Sequence, residues 1–174
     1  DPEETWKKSY DLLSKLAPPG LAVTYVREAM AFLPKEHDLA WALGNLYLDL
    51  GDRVRAMDAY ERFLGTSPSK AARVAARLEK EGMLSEALRF YRVAASQTSS
   101  DSEEKVVEAY ITLARTLHGD AGARKALAFV LREKGAQPWV LRVCSNALVE
   151  AGMIDDAQRL MKKLLVREGG PMEH

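Results

Sequence analysis

The chain has 174 residues, a length that suits one ordinary domain or a short array of repeats. Its 25 Lys and Arg balance its 25 Asp and Glu. A hydrophobic fraction of 47% indicates a folded protein and argues against intrinsic disorder. The formal net charge of zero argues against a nucleic-acid-binding protein, because contacts with phosphates usually require an excess of Lys and Arg. The single cysteine excludes an intrachain disulfide framework.

The chain opens with Asp1-Pro2-Glu3-Glu4, which is typical of a helix N-terminus: an N-cap, a proline in the first turn and a capping-box glutamate. We therefore expect the chain to begin at a helix boundary, as a piece of a longer protein would. It has no signal-peptide pattern and no apolar run near the roughly 20 residues that a membrane span needs. The single cysteine suits a reducing compartment and so favours the cytoplasm, but a processed precursor is an equal alternative and the periplasm stays open.

Helical periodicity runs through almost the whole chain. Apolar residues recur three and four positions apart, and short breaks rich in Gly, Pro and Ser interrupt them. This pattern predicts an all-α protein made of helix pairs. In chain order, the predicted pairs cover 2–33, 37–65, 68–97, 102–134 and 138–167. We expect them to form one domain over residues 1–168, followed by a flexible tail over 169–174.

The second pair carries the most complete sequence motif. In it, Leu43-Gly44-Asn45-Leu46-Tyr47 is followed by Gly51, Ala56, Tyr60 and Pro68. The small residues Gly44 and Ala56 would let two helices cross closely, while larger apolar side chains fill the space around them. Gly51 can adopt the left-handed conformation that ends a helix.

The small residue of this motif recurs along the chain. Alanines occupy the matching position in all five pairs, at intervals of 34, 31, 39 and 31 residues, and a larger apolar residue follows each one four positions later. These alanines are Ala22, Ala56, Ala87, Ala126 and Ala157, followed by Val26, Tyr60, Tyr91, Val130 and Met161. The motif and its spacing resemble the tetratricopeptide repeat family. The resemblance implies a right-handed superhelical solenoid of antiparallel helix pairs that serves as a scaffold or adaptor for a protein or peptide partner.

No pattern of catalytic residues is visible in the sequence. It contains no paired histidines at metal-ligand spacing, no nucleophile elbow and no glycine-rich phosphate loop. His118 and Asp120 suggest a metal pair, but polar residues beside a turn are the simpler interpretation. Cys144 is expected to be a buried structural thiol, because no histidine lies near it in sequence. We therefore expect a protein that is not an enzyme and has neither cofactor nor metal.

In tetratricopeptide proteins the first helix of each pair lines the concave surface, so the resemblance indicates which residues would face a partner. They are Lys7, Asp11, Trp41, Asn45, Arg73, Arg115, Arg142 and Asn146. Arginine can grip carboxylates, asparagine can hold an extended backbone, and tryptophan is a common interface anchor. A structural alternative stays open, in which Trp41 packs between adjacent helix pairs and the exposed Arg and Asn residues are ordinary solvated surface.

Some tetratricopeptide proteins clamp the C-terminal carboxylate of chaperone tails. Lys7, Asn45 and Arg73 match positions of that clamp, whereas Asp11 and Ser69 depart from it. An acidic residue in the centre of the clamp would repel the terminal carboxylate, which argues against this specificity.

A rival repeat is suggested near the C-terminus, where 145–157 resembles a pentatricopeptide unit, a family that binds single-stranded RNA. The segment from Asn146 to Gly152 is about one helical turn too short for that family, and the neutral net charge also argues against RNA. We expect no nucleic-acid partner.

A second function remains open: the chain could be a structural segment of a larger assembly, such as a secretion, envelope or trafficking complex. Its end faces would then stack on further repeats or on a second copy of the chain. Leu160, Leu164 and Leu165 in the last predicted helix are the candidates for such an uncovered apolar face.

Overall fold

A computed structural model describes residues 2–66, 70–97 and 104–168, and within these ranges the chain forms helices joined by short turns. The helices are α1 (Pro2–Leu16), α2 (Pro19–Phe32), α3 (Asp38–Asp49), α4 (Arg53–Thr66), α5 (Ala71–Lys80), α6 (Leu84–Gln97), α7 (Glu104–Lys134), α8 (Pro138–Glu150) and α9 (Ile154–Glu168). None of these helices is long and apolar enough to cross a membrane. The predicted tail over 169–174, and the predicted helix starts at residues 68 and 102, lie outside the described residues.

The chain divides into two compact units. Unit 1 is Asp1–Pro68 and unit 2 is Ser69–His174. In unit 1, α1 packs on α2, α2 on α3 and α3 on α4. In unit 2, each helix from α5 to α9 likewise packs on the next one along the chain. Each unit therefore buries its apolar faces mainly between helices that are neighbours in sequence, as expected of a repeat protein.

Helices α3 and α4 of unit 1 approach each other closely at Gly44 and Tyr60. A Cβ atom placed on Gly44 would lie 2.5 Å from Cε1 of the Tyr60 ring, so only a glycine fits there without displacing that ring. Tyr60 and Ala56 have no exposed surface. The predicted close crossing of two helices at small residues is thus confirmed in this pair.

Three of the turns between helices have the same construction. Gly51, Gly82 and Gly152 have positive φ angles of 75°, 74° and 74°. In each turn, the N–H that follows the glycine donates to the carbonyl five residues earlier, at 2.8 to 2.9 Å. These bonds run from Asp52 to Tyr47, from Met83 to Leu78 and from Met153 to Leu148. This is the Schellman arrangement, which satisfies carbonyls at the end of a helix, and it confirms the conformation predicted for Gly51.

The fourth pair turns differently. Its two segments, 104–118 and 120–134, belong to the single element α7, which breaks at Gly119 (φ 67°, ψ −164°). After the break, Gly122 packs directly on the backbone carbonyl of Ala114 and on Cβ of His118. Ala121 lies five residues before the crossing Ala126, which is the position that the turn glycines Gly51, Gly82 and Gly152 occupy before their own alanines. The turn instead forms two residues earlier, because glycine tolerates this backbone conformation and alanine does not.

The five repeated alanines, and the larger apolar residues four positions after them, were predicted to lie in the core, and all but one of these residues do. Each of the five alanines is buried, and so are the larger residues that follow the first four of them. The exception is Met161 in α9, whose side chain is 40% exposed. Helix α9 packs mainly on α8, so its remaining surface faces solvent in this structure.

The last helix also corrects a prediction about its uncovered face. Leu160 and Leu164 are only 5% and 7% exposed, so the expectation that they would be left uncovered is wrong for both. Leu165 is 64% exposed and fits the expectation. The reason is helical geometry: residues four apart share one face, and here that face packs towards α8, whereas the next residue points elsewhere.

Cys144 lies inside unit 2 with no exposed surface. Burial raises the pKa of its thiol to about 12, since the thiolate would lose its hydration. A thiol that stays protonated at neutral pH is a poor nucleophile. The prediction of a buried structural thiol is therefore confirmed.

Candidate partner-binding surfaces

The first helices of unit 1 hold four of the predicted contact residues, and two of these are used inside the unit. The Trp41 ring lies 5.5 Å from the Tyr60 ring and 5.7 Å from the Phe63 ring, measured between centroids. The Asn45 side-chain carbonyl accepts a 2.7 Å hydrogen bond from the Tyr60 hydroxyl. Both residues therefore help to hold α3 against α4 within one pair, whereas the structural alternative had placed Trp41 between adjacent pairs.

The other two residues of unit 1 lie on α1. The Lys7 ammonium is 5.9 Å from the centroid of the Trp6 ring, and Asp11 is exposed. The pKa of the Tyr10 hydroxyl is raised by burial and then by the negative charges of Asp49 and Asp11. These carboxylates make the surface around Tyr10 acidic, which is unfavourable for a carboxylate clamp.

The first helices of unit 2 hold the other four predicted residues. Arg115 donates to the Asp120 carboxylate at 2.8 Å, and Arg142 pairs with Glu104 at 2.6 Å. Both arginine side chains remain partly exposed, at 41% and 43%. The pair between Arg142 and Glu104 joins the start of α8 to the start of α7. The first helices of the last two pairs therefore lie side by side.

Arg73 on α5 and Asn146 on α8 are both exposed. The suggested metal pair is not supported, because the Asp120 carboxylate is engaged by Arg115. Within the described ranges, no three His, Cys, Asp or Glu side chains come together as a metal site. The predicted contact residues on the first helices of unit 2 are thus polar, and the charges of Arg115 and Arg142 are paired with carboxylates.

A second surface of unit 2, the basic cleft, was not predicted. It is an open cleft of about 780 Å³ between α6 and the two segments of α7. Its charged lining is Arg89, Arg92, Lys125 and Arg132, together with His118, and its floor includes Tyr110 and Phe129. None of the residues that line it is Asp or Glu.

Phe129 is the centre of the basic cleft. The Arg92 guanidinium lies 4.6 Å from the ring centroid and the Arg132 guanidinium 5.5 Å from it, both within cation–π range. The Tyr110 ring meets Phe129 edge-on at 5.9 Å. Burial raises the pKa of the Tyr110 hydroxyl, and the positive charge of Arg92 partly opposes this. The cleft thus combines an aromatic floor with fixed positive charge.

Sequence reasoning missed this cleft because the family resemblance directed attention to the first helix of each pair. The cleft is formed mainly by second helices. A signal was nevertheless present: Arg89 and Arg92 are three residues apart, and Lys125, Phe129 and Arg132 follow at intervals of four and three. Such intervals place side chains on one face of a helix.

Comparison with known proteins bears on the fold. No protein-family model matches the chain, and no curated protein matches it in sequence. Among solved structures, PilF of Pseudomonas aeruginosa has a TM-score of 0.52 and 16% identity, covering 99% of this chain and 78% of PilF. The solved chain of MamA from residue 41 to its end, from Desulfovibrio magneticus RS-1, has a TM-score of 0.52 and 14% identity, covering 99% of this chain and 98% of that one. A double mutant of MamA RS-1 has a TM-score of 0.54 and 13% identity, covering 97% and 95%.

PilF and MamA both contain tetratricopeptide repeats. The fold of this chain is of the tetratricopeptide type. At identities of 13% to 16% the likeness concerns the fold alone.

Proposed function

We propose that this tetratricopeptide-type chain is a scaffold or adaptor module that binds a peptide or protein partner on the surface of its first helices. The observation that carries the proposal is the arrangement in unit 2. There Arg115 and Arg142 are held in place by carboxylates while their side chains stay partly exposed. A surface that is already ordered loses little conformational entropy on binding.

We propose that most of the contact residues lie in unit 2. Trp41 and Asn45 have partners within unit 1, so they support the helix pair that carries the surface. Arg73 and Asn146 are exposed on first helices of the same unit, and in this proposal they add to the contacts of Arg115 and Arg142. An acidic or amide-rich segment of a partner is the chemistry that these side chains would recognise. Lys7 and Asp11 would add contacts only at the α1 end.

The test is affinity capture from lysate of the source organism with matched charge-reversal variants. The surface variant is Arg115→Glu with Arg142→Glu. The control is Lys35→Glu with Arg53→Glu, which makes the same charge change at exposed positions of unit 1. Circular dichroism and thermal unfolding would confirm that both variants are folded.

A protein captured by the wild type and by the control, but lost by the surface variant, is the expected result. Its direct binding would then be measured with purified components, where we expect Kd to rise about tenfold or more for the surface variant. Equal capture by all three baits would contradict the proposal.

A structural role in a larger assembly is the second candidate, and exposed apolar side chains at the terminal helices favour it. In unit 1, Leu12, Leu16, Leu21 and Phe32 are exposed on α1 and α2, with Phe32 at 84%. In unit 2, Met161, Leu165 and Val166 are exposed on α9. Apolar surface left in contact with water is typical of sites that another protein covers.

This second candidate is tested by sedimentation velocity over a range of concentrations. Self-association through these faces would be weakened in a Phe32→Ser variant or in a Leu165→Ser, Val166→Ser variant, and retained in the Arg115→Glu, Arg142→Glu variant. A wild-type chain that stays monomeric at all concentrations would exclude stacking on a second copy.

A further inference from the structure

The basic cleft lies in the more basic part of a neutral chain. Residues 69–174 contain 17 Lys and Arg against 14 Asp and Glu, whereas residues 1–68 contain 8 against 11. Within unit 2, four cationic side chains converge on one cleft that no carboxylate lines. Glu133, which is not among the lining residues, contacts Arg132 at 3.4 Å and offsets part of its charge. Glu86 and Asp120, which adjoin lining residues in sequence, are not among them either. Like charges gathered in this way create a positive potential that attracts anions.

Unit 1 offers an internal comparison for this cleft. Its groove between α2 and α4, about 510 Å³, is lined by Arg27, Arg55 and Arg62 and also by Asp58. Counted from the crossing alanines Ala56 and Ala126, Arg55 matches Lys125 and Arg62 matches Arg132. The basic positions are thus shared between the two grooves.

Two positions in the same register differ. Where unit 1 has Asp58 and Ala59, unit 2 has Ala128 and Phe129. The carboxylate in the groove of unit 1 offsets part of the positive charge around it. In the basic cleft, Ala128 stands in place of the Asp58 carboxylate, and the Phe129 ring stands in place of the Ala59 methyl group. Both changes make the cleft of unit 2 more suitable for an anion with an apolar part.

The spacing of the cationic groups indicates the form of the ligand. Lys125 and Arg132 lie two helical turns apart, which is about 10 Å along the axis of the second segment of α7. An extended peptide covers that distance in about three residues. Phe129 lies between them, where it can contact an apolar side chain of the ligand.

We infer that the basic cleft binds an acidic peptide segment of a partner protein, with carboxylates about three residues apart and a large apolar side chain between them. The carboxylates are held by Arg92, Lys125 and Arg132, and the apolar side chain lies on Phe129. This site is separate from the first-helix surface of the proposed function, and the chain would then have two binding surfaces.

The experiment uses fluorescence anisotropy with the full chain and a short labelled peptide that contains Glu-Leu-Leu-Glu between Gly and Ser residues. Binding should weaken as salt is added, because the interaction depends on exposed charges. The same peptide with Gln in place of Glu should not bind. Oligouridine RNA and phosphatidylserine vesicles are tested as competing anions. Tighter binding of either one than of the peptide would overturn the inference.

Variants at Ala128 separate the charge effect from damage to the fold. Ala128 is exposed, so Ala128→Asp adds the carboxylate of unit 1 without disturbing the core, and Ala128→Asn is its neutral control. We expect Ala128→Asp to raise the Kd for the peptide about fivefold and Ala128→Asn to leave it unchanged within about twofold. Arg92→Glu with Lys125→Glu should raise it at least about tenfold.

The first-helix variant, Arg115→Glu with Arg142→Glu, serves as the control for location. It should bind the peptide as the wild type does, so loss of the first-helix partner and loss of the peptide can be told apart. Peptide binding that is absent in the wild type, or equal in the wild type and in the Arg92→Glu, Lys125→Glu variant, would overturn the inference.

Discussion

The second and fourth helix pairs reach a close packing of two helices by different means. In unit 1, α3 and α4 are joined by a Schellman turn at Gly51 and approach each other where Gly44 meets the Tyr60 ring. In unit 2, α7 turns at Gly119, whose positive φ with ψ near 180° is a conformation essentially restricted to glycine, and the close approach lies at Gly122, against the Ala114 carbonyl. In these two pairs a small residue lies at the close approach and a glycine lies at the turn, but their positions differ.

The largest effect is expected from Gly44→Ala. The added methyl group would overlap the Tyr60 ring, which is buried, hydrogen-bonded to Asn45 and packed on Trp41. We expect a loss of about 3 kcal/mol in the free energy of unfolding, the upper end of the usual cost of overpacking. Urea unfolding followed by circular dichroism would measure it.

Gly65→Ala is the matched control for this substitution. Gly65 lies in α4, and a Cβ there would meet nothing within 4 Å. It should raise the stability by about 0.5 kcal/mol, because alanine loses less backbone entropy than glycine in a helix. In a Tyr60→Leu background the cost of Gly44→Ala should shrink. An unchanged cost there would show that the ring is not the obstacle.

Gly122→Ala should cost about 2 kcal/mol, somewhat less than Gly44→Ala. Its methyl group would meet a backbone carbonyl rather than a ring, but the break at Gly119 lies less than one turn away and can absorb part of the shift. The same urea experiment applies. A larger loss for Gly122→Ala than for Gly44→Ala would show that the turn of the fourth pair is the more rigid of the two.

The two turn glycines should respond differently to asparagine. Gly119→Ala and Gly51→Ala place a Cβ at positive φ and should cost about 1.5 and about 1 kcal/mol, respectively. Asparagine tolerates the left-handed conformation of a Schellman turn, so Gly51→Asn should recover part of the loss. Gly119→Asn should not, because a ψ of −164° at positive φ is accessible essentially to glycine alone. Equal recovery at both sites in thermal unfolding would contradict this difference.

The smallest effect is expected from an ion pair of unit 2, between Arg124 on α7 and Asp156 on α9. Arg124 donates to the Asp156 carboxylate at 2.9 to 3.1 Å, linking α7 to α9. This hydrogen bond, followed by the charges of Arg124 and Arg159, lowers the pKa of Asp156. A carboxyl group with a lowered pKa in the folded state contributes stability above its unfolded pKa, and the contribution is lost as the pH falls through the folded pKa.

Arg124→Ala should therefore lower the thermal midpoint only slightly at neutral pH, and the difference from the wild type should vanish in acid. The Arg124 side chain is 56% exposed, so added salt should also reduce the difference. Arg159→Ala at an exposed position of α9 provides the comparison, with a still smaller shift. A difference that persists at low pH would mean that Arg124 acts by packing rather than by charge.

Much of the fold could be read from residue spacing. Glycine at a turn and alanine at a crossing are constraints that act locally, so Gly51 and the five alanines could be assigned without knowing the rest of the structure. Periodicity likewise indicated helices, because burying one face of a helix requires apolar residues three and four positions apart.

The candidate surfaces were harder to predict. The sequence placed Trp41 and Asn45 on the first-helix surface, but the spacing could not show that Tyr60 and Phe63 would engage them. It also could not show that Leu160 and Leu164 would be covered while Leu165 remained exposed. Each of these outcomes depends on how one helix is rotated about its axis relative to its neighbour. Successive side chains on a helix point about 100° apart, so a small rotation decides which of two adjacent residues is buried.

The sequence by itself determined the all-helical repeat, its glycine turns and its alanine crossings, because these follow from the steric limits of single residues and of adjacent helices. The tertiary structure alone decided where the charges converge. Arg92 lies on α6, and Lys125 and Arg132 lie on the second segment of α7, yet they line one cleft around Phe129. Their convergence depends on the packing of α6 against α7, and positive charges far apart in a neutral sequence form a binding surface only when packing brings them together.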